Sequence, residues 1–224
     1  MKLLSLNVGL PREVAWHNTT VTTGIFKQPV SGRLALRKLN LDGDRQADLR
    51  VHGGEYKAVY CYPVEHYAYW KKELPGRDLG FGIFGENFTT EGLLEDSVHL
   101  GDRFAVGSGE VVVTQPRLPC YKLGVRFGSD DMVKRFLSSA RTGFYLAGTR
   151  EGEVGAGDEI QLLSRDPNAV RVSEITRLYV ANPGERSKPF SKLDAAVVHR
   201  ALQVASFPES WKSYLRERLP KVSG

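Results

Sequence analysis

The 224-residue sequence has only two cysteines, Cys61 and Cys120, too few for a fold organised by disulfides. Two thiolates also cannot hold an ordinary four-thiolate iron–sulfur cluster. No apolar run approaches the roughly 18 residues needed to span a bilayer, so no membrane association is expected. The opening stretch, MKLLSLNVGLPREV, has too short an apolar segment for a signal peptide and reads as a first strand. With the low cysteine count, this makes a cytoplasmic location the simplest expectation. Also missing are GxGxxG, GxxxxGK, HExxH and CxxC, the short signatures of dinucleotide, nucleoside triphosphate, zinc-protease and dithiol chemistry. His17, His52, His66, His99 and His199 show no metal-ligand spacing with a second His or Cys, which argues against zinc. Pyridoxal phosphate is not expected either. There is no repeat of 20–50 residues and no block of five like charges.

Hydrophobic residues at 41% and charged residues at 25% are ordinary for a folded protein. The net charge of +5 favours anionic ligands without naming one. Up to about residue 166 the texture is β, with candidate strands at 3–8, 33–39, 58–62, 103–106, 110–115, 144–149 and 159–164. Gly-Asp pairs at 43–44, 101–102 and 157–158 punctuate them, glycine tolerating the turn and aspartate capping freed amides. Many short strands with such turns predict a mainly β fold, a closed or nearly closed barrel over residues 1–166. Two peripheral helices are expected, one from Pro63 toward Leu74 and one over 130–140. Over 167–224 the apolar spacing turns helical, through Val172, Ile175 and Leu178, then Leu193 to Val204, then Trp211, Tyr214 and Leu215. Three short amphipathic helices form a small bundle that must pack on the barrel or on a partner.

The densest chemical stretch is Gln115-Pro116-Arg117-Leu118-Pro119-Cys120-Tyr121-Lys122-Leu123, just past a strand. Two prolines stiffen it, and Arg117 and Lys122 flank the cysteine with positive charge, which favours thiolate. The alternative is a structural cysteine beside solvated cations. Cys61, inside an apolar strand, reads as core. In Val51-His52-Gly53-Gly54 the paired glycines can bring backbone amides to an anion, and His52 can donate to phosphate; a plain turn is the alternative. Asn87, after Phe84-Gly85-Glu86, offers two donors and an acceptor suited to a heterocycle edge, or an Asx turn. Lys27, in Gly24-Ile25-Phe26-Lys27-Gln28-Pro29, and Arg33 are candidates for a cationic wall, or solvated surface groups.

In order along the chain, these segments resemble the MOSC-domain family (molybdenum cofactor sulfurase C-terminal domain), in its YiiM-like branch. The resemblance runs through Gly24 to Pro29, Leu41-Asp42-Gly43-Asp44 with Gln46-Ala47-Asp48, and His52-Gly53-Gly54. It continues through Tyr62-Pro63, Phe84 to Asn87, Gly101-Asp102 and Gln115 to Leu123, and covers nearly the whole chain. It implies a MOSC-type β-barrel with a C-terminal three-helix extension, holding the molybdenum cofactor (Mo-molybdopterin). Cys120 is implied as the thiolate ligand to molybdenum. Lys27, Arg33, Arg117, Lys122 and the His52, Gly53 and Gly54 backbone are implied to hold the anionic pterin. Asn87 and Gln115 would read polar edges or a metal-bound oxygen, with His52 and Asn87 beside Cys120 in catalysis. The implied activity is two-electron reduction of small N-hydroxylated compounds, such as hydroxylamino base analogues, to amine and water, a detoxification. Lacking a flavin or iron–sulfur signature, the chain would take electrons from a separate reductase or ferredoxin, with the C-terminal helices as a docking surface. A homodimer is compatible with this. Two alternatives stay open: a sulfur or cofactor carrier using a Cys120 persulfide, and a nucleic-acid or partner-binding module using Arg200, Lys212, Arg216, Arg218 and Lys221.

Overall fold

A computed structural model describes residues 1–48, 53–181 and 189–220. Its main sheet is built from β1 (Lys2–Val8), β4 (Gln28–Pro29), β6 (Val59–Pro63), β7 (Phe88–Glu91), β8 (Arg103–Val106), β9 (Gly109–Pro116), β10 (Phe144–Arg150) and β12 (Ile160–Ser164). The strand order is β12-β8-β9-β10-β6-β7-β1-β4. Only β6 and β7 run parallel among these pairs. The sheet curls until β1 meets the start of β12, through a Lys2–Glu159 bridge and hydrogen bonds from Leu3 N to Asp158 O (2.9 Å) and Ile160 N to Met1 O (2.9 Å). Two further pairs decorate it: the hairpin β2 (Arg12–Trp16) with β3 (Thr19–Thr23), and β5 (Arg33–Leu36) with β11 (Gly152–Gly155).

Alternation explains why these segments are strands. Val111 and Val113 of β9 are buried while Glu110 and Val112 are half-buried. Strand β6 is buried along its whole length, and its two faces serve two cores. Val59 and Cys61 join Leu3, Leu6, Val113 and Phe144 in the barrel interior. Tyr60 and Tyr62 point the other way, into an aromatic cluster with Trp70, Phe84, Phe127 and Phe136. That second cluster is roofed by helices α1 (Glu65–Glu73), α2 (Tyr121–Phe127) and α3 (Met132–Ser138).

The expected C-terminal helices are present as α4 (Val172–Val180), α5 (Lys192–Gln203) and α6 (Glu209–Arg216). Their apolar faces are not spare. Val172, Ile175, Val198, Ala201 and Leu215 belong to the same core cluster as the barrel strands. Trp211 Nε1 donates to Gln115 Oε1 (2.7 Å), and Ser206 Oγ donates to Val113 O (2.8 Å), tying the helices to β9. Removing them would strip apolar cover from the barrel, so they are part of what holds it.

Cys120 lies just past the end of β9 at Pro116, as its sequence setting indicates, and it is also the N-cap of a helix the sequence does not signal, α2, which starts at Tyr121. A cysteine cap after two prolines gives no ordinary start signal. The stop signal is present, since Gly128 takes the left-handed conformation (φ 61°) that ends many helices. Strands β2, β3, β7 and β11 carry too little apolar alternation to stand out.

Candidate functional site

Three loops and one strand end converge on an open cleft between residues 23–27, 45–47 and 117–122. Its floor is a buried polar network. Asp44 follows the positive-φ turn at Gly43 (83°), and its carboxylate accepts from Gly9 N (2.9 Å) and Asn87 Nδ2 (3.0 Å). Lys27 Nζ forms a buried ion pair with Asp44 Oδ1. Burial pushes the Lys27 pKa below its ordinary value, with Asp44 opposing the shift. The 24–27 loop approaches the 44–46 loop so closely that a Cβ at Gly24 would collide with the Arg45 carbonyl. Below it, Glu86 is fully buried, and its carboxyl accepts from Gly82 N (2.8 Å), Phe84 N (3.0 Å), Thr89 Oγ1 (3.1 Å) and the Tyr67 hydroxyl. Burial raises its pKa, and these donors oppose the rise.

Lys27, Arg45, Lys57, Arg117 and Lys122 line this cleft together with Cys120, and Lys57 and Arg117 interact electrostatically with its sulfur. Arg117 is the decisive one. It sits at the end of β9, only 5% exposed, with its guanidinium 5.1 Å from both the Tyr60 and the Phe136 ring centroids. Burial works against its charge, while Tyr60, Tyr145 and Cys120 offset that and leave its pKa raised. Its Nη1 is buried and has no hydrogen-bond partner among the described residues. A buried donor left unpaired costs about 1–3 kcal/mol, more when charged. Lys57 is half-buried; burial lowers its pKa and the Cys120 sulfur opposes this. Among the described residues no three His, Cys, Asp or Glu side chains converge. A metal here would therefore have Cys120 as its single protein ligand of those types, with its other ligands brought by a cofactor.

Of the residues singled out in the sequence, Lys27, Asn87, Arg117, Cys120 and Lys122 meet at the cleft. Asn87 lines it differently than expected. Its Oδ1 accepts from Tyr60 N (3.1 Å), and its Nδ2 donates to Asn7 O (3.2 Å) and Asp44 Oδ2 (3.0 Å), so both amide protons are committed to the floor. Arg33 is elsewhere: it pairs with Asp158 (2.8 and 2.9 Å) and Glu153 O (2.8 Å), fastening β5 to the turn before β12. Gln115 is a strut, accepting from Trp211 and donating through Nε2 to Tyr56 O (3.3 Å). Gly53 and Gly54 precede the short 3-10 turn Glu55–Lys57 and do not line the cleft. His52 lies outside the described residues. Sequence reasoning missed Arg45, Lys57, Tyr60 and Tyr145. Arg45 directly follows a Gly-Asp turn and Lys57 follows the glycine pair, so both had a local signal; the tyrosines had none.

The family model described as "MOSC domain" matches residues 48–161. The chain belongs to the MOSC-domain family. Protein YiiM of Escherichia coli is 36% identical over 204 residues, covering 90% of this chain and 86% of that protein. The crystal structure of YiiM from Geobacillus stearothermophilus superposes with a TM-score of 0.77 at 32% identity, covering 98% and 99% of the two chains. These place the chain in the YiiM-like branch. A protein named "Reductase" from Gibberella moniliformis is 34% identical over 148 residues, 65% of this chain but 26% of that protein.

Proposed function

We propose that this MOSC-domain chain is a molybdenum-cofactor-dependent reductase of N-hydroxylated compounds, acting in the cytoplasm and driven by a separate electron-donor protein. The observation that carries the proposal is a cleft that Cys120 shares with Lys27, Arg45, Lys57, Arg117 and Lys122. An anionic, sulfur-rich, metal-bearing pterin satisfies each feature at once: the guanidinium gains an acceptor, the other cations gain a counter-charge, and a soft thiolate gains a soft metal. The likeness to a protein named reductase supports a redox role.

Cys120 would ligate the metal and Arg117 would hold the pterin's anionic group. Lys57, Lys122 and Arg45 would neutralise the remaining charge. The chemistry supplied on binding is two-electron cleavage of an N–O bond, giving amine and water. The protein's part is positional. The Asp44–Lys27–Asn87 floor keeps the 24–27 loop in place, and the Tyr60 and Phe136 rings hold the Arg117 guanidinium at the end of β9.

Metal and pterin analysis of protein made in a host competent for the cofactor tests this. Wild-type protein should carry molybdenum and pterin, and Cys120→Ala should lack the metal while keeping its fold. Wild-type protein without molybdenum would remove the proposal, and a cysteine adduct of one sulfur would put a persulfide carrier in its place.

A further inference from the structure

Many surface arginines pair with a carboxylate, but among the described residues some do not, Arg141 over the Tyr69 ring being one. Arg103, Arg135, Arg150 and Arg165 each pair with a carboxylate, and so do Arg177, Arg200 and Arg216 on the C-terminal helices. Arg12, Arg77 and Arg126 have no carboxylate partner among the described residues; their contacts are with aromatic rings and carbonyls. The Arg12 guanidinium lies 3.9 Å from the centroid of Phe26, and that of Arg126 lies 4.9 Å from the same ring. Arg77 stands 5.0 Å from the Phe127 ring and donates to Phe127 O (2.7 Å). Burial lowers the Arg126 pKa, and the charges of Arg12 and Arg77 push it the same way. Three like charges are thus held together with only the buried Glu86 carboxylate opposing them at Arg126, although Glu13 and Asp78 adjoin two of them in sequence.

Position gives the cluster meaning. Phe26 stands between Ile25 and Lys27, both of which line the cleft. Arg126 belongs to α2, the helix that begins directly after Cys120. Two large aromatic side chains are exposed nearby in the chain, Tyr121 at 55% and Phe81 at 37%. Arginine with exposed aromatics is the composition of protein–protein contact surfaces. None of the three arginines lines the cleft, and they come from β2, the segment after α1, and α2. A spread of this kind suits a broad acidic surface, whereas a small anion needs an enclosed set of donors.

We infer that the Arg12–Arg77–Arg126 face docks an acidic electron-carrier protein beside the cleft mouth. This rests on the proposed function in one respect, that electrons arrive from a separate protein. It also moves the docking surface away from the C-terminal helices, whose apolar faces cover the barrel and whose Arg177, Arg200 and Arg216 are already neutralised.

The test uses the full-length cofactor-loaded protein, titrated calorimetrically at low and high salt with two acidic carriers, a plant-type [2Fe–2S] ferredoxin and a flavodoxin. At least one should bind at low salt and weaken as salt rises. Arg12→Glu and Arg77→Glu should each weaken binding by roughly tenfold or more, while Arg150→Glu and Arg216→Glu leave it within about twofold. Turnover driven by reduced methyl viologen should be unchanged in Arg12→Glu. Failure of both carriers to bind, an equal loss with Arg216→Glu, or a single-stranded oligonucleotide bound with the same sensitivity to Arg12→Glu would overturn the inference. If carrier binding behaves as expected but the wild-type protein reduces no N-hydroxylated substrate with the dye, the proposed activity fails and the docking face stands.

Discussion

The two cysteines of this chain occupy opposite environments. Cys61 lies inside β6, fully buried, with its sulfur 3.4 Å from Thr90 Oγ1 and apolar neighbours on the barrel side. Burial pushes its thiol up to about 12. Cys120 is half-buried at the turn from β9 into α2, and interacts electrostatically with Lys57 and Arg117. The residues around Cys61 have filled one another's bonding capacity, whereas those around Cys120 hold positive charge and an unused donor. A region that is finished by folding is core; one left with unspent polar capacity is prepared for something else.

The contrast can be broken by experiment, most strongly at Cys120 itself. Replacing it with alanine should abolish molybdenum retention while shifting stability by no more than about 1 kcal/mol, as read by metal analysis beside urea denaturation. Next in size is the floor of the cleft, which should respond as a core does. Asp44→Ala leaves Lys27 buried without its partner and should cost about 3–5 kcal/mol, measured by the same denaturation. Arg117→Met should separate function from folding. Losing a charged hydrogen bond of about 1.5–3 kcal/mol should weaken cofactor retention roughly 10- to 100-fold. Because the lost charge is buried with no carboxylate partner among the described residues, and held only by the Tyr60 and Phe136 rings and the Tyr145 hydroxyl, stability should stay level; a marked drop would show that Arg117 is structural.

The smallest effect belongs to Cys61 and appears with pH. Its folded-state pKa, about 12, lies above the ordinary 9.0, so the native state keeps a proton that the unfolded chain releases. The stabilisation is complete below pH 9.0 and is lost as pH rises toward 12, at up to about 1.4 kcal/mol per pH unit. Burial raises the Tyr60 and Tyr62 phenols well above 10.0, adding a fall of the same sign at higher pH. Cys61→Ala should therefore move the onset of alkaline destabilisation upward by about one pH unit, as followed by denaturant titrations between pH 8 and 11. An onset unmoved by Cys61→Ala would show that the sulfur is not shielded in the native state.

Much of this was legible in the chain. Strand positions at 103–106 and 144–149, the helix entered at Pro63 and the three C-terminal helices follow from local alternation and caps, which act over a few residues. Local chemistry also marked Cys61 as core and Cys120, Arg117 and Lys122 as a unit, because prolines and spacing keep these last three together whatever the rest of the fold does. Arg33 and Gln115 were misplaced for the complementary reason. Each carries a suitable polar group, but Asp158 is 125 residues from Arg33 and Trp211 is 96 from Gln115, and nothing in the sequence announces either partner.

The sequence by itself determined a two-cysteine, mainly β chain with one cationic, proline-braced thiol, since each property is composition or short-range geometry. Only the tertiary structure decided which cations share that thiol's cleft, because curling the sheet brings Lys27, Arg45 and Lys57 to the end of β9. It alone gave Asn87 to Asp44, 43 residues away, and left one nitrogen of Arg117 buried without a partner among the described residues. Buried polar groups are satisfied or left wanting by whichever strands the barrel makes neighbours, and that is a long-range property.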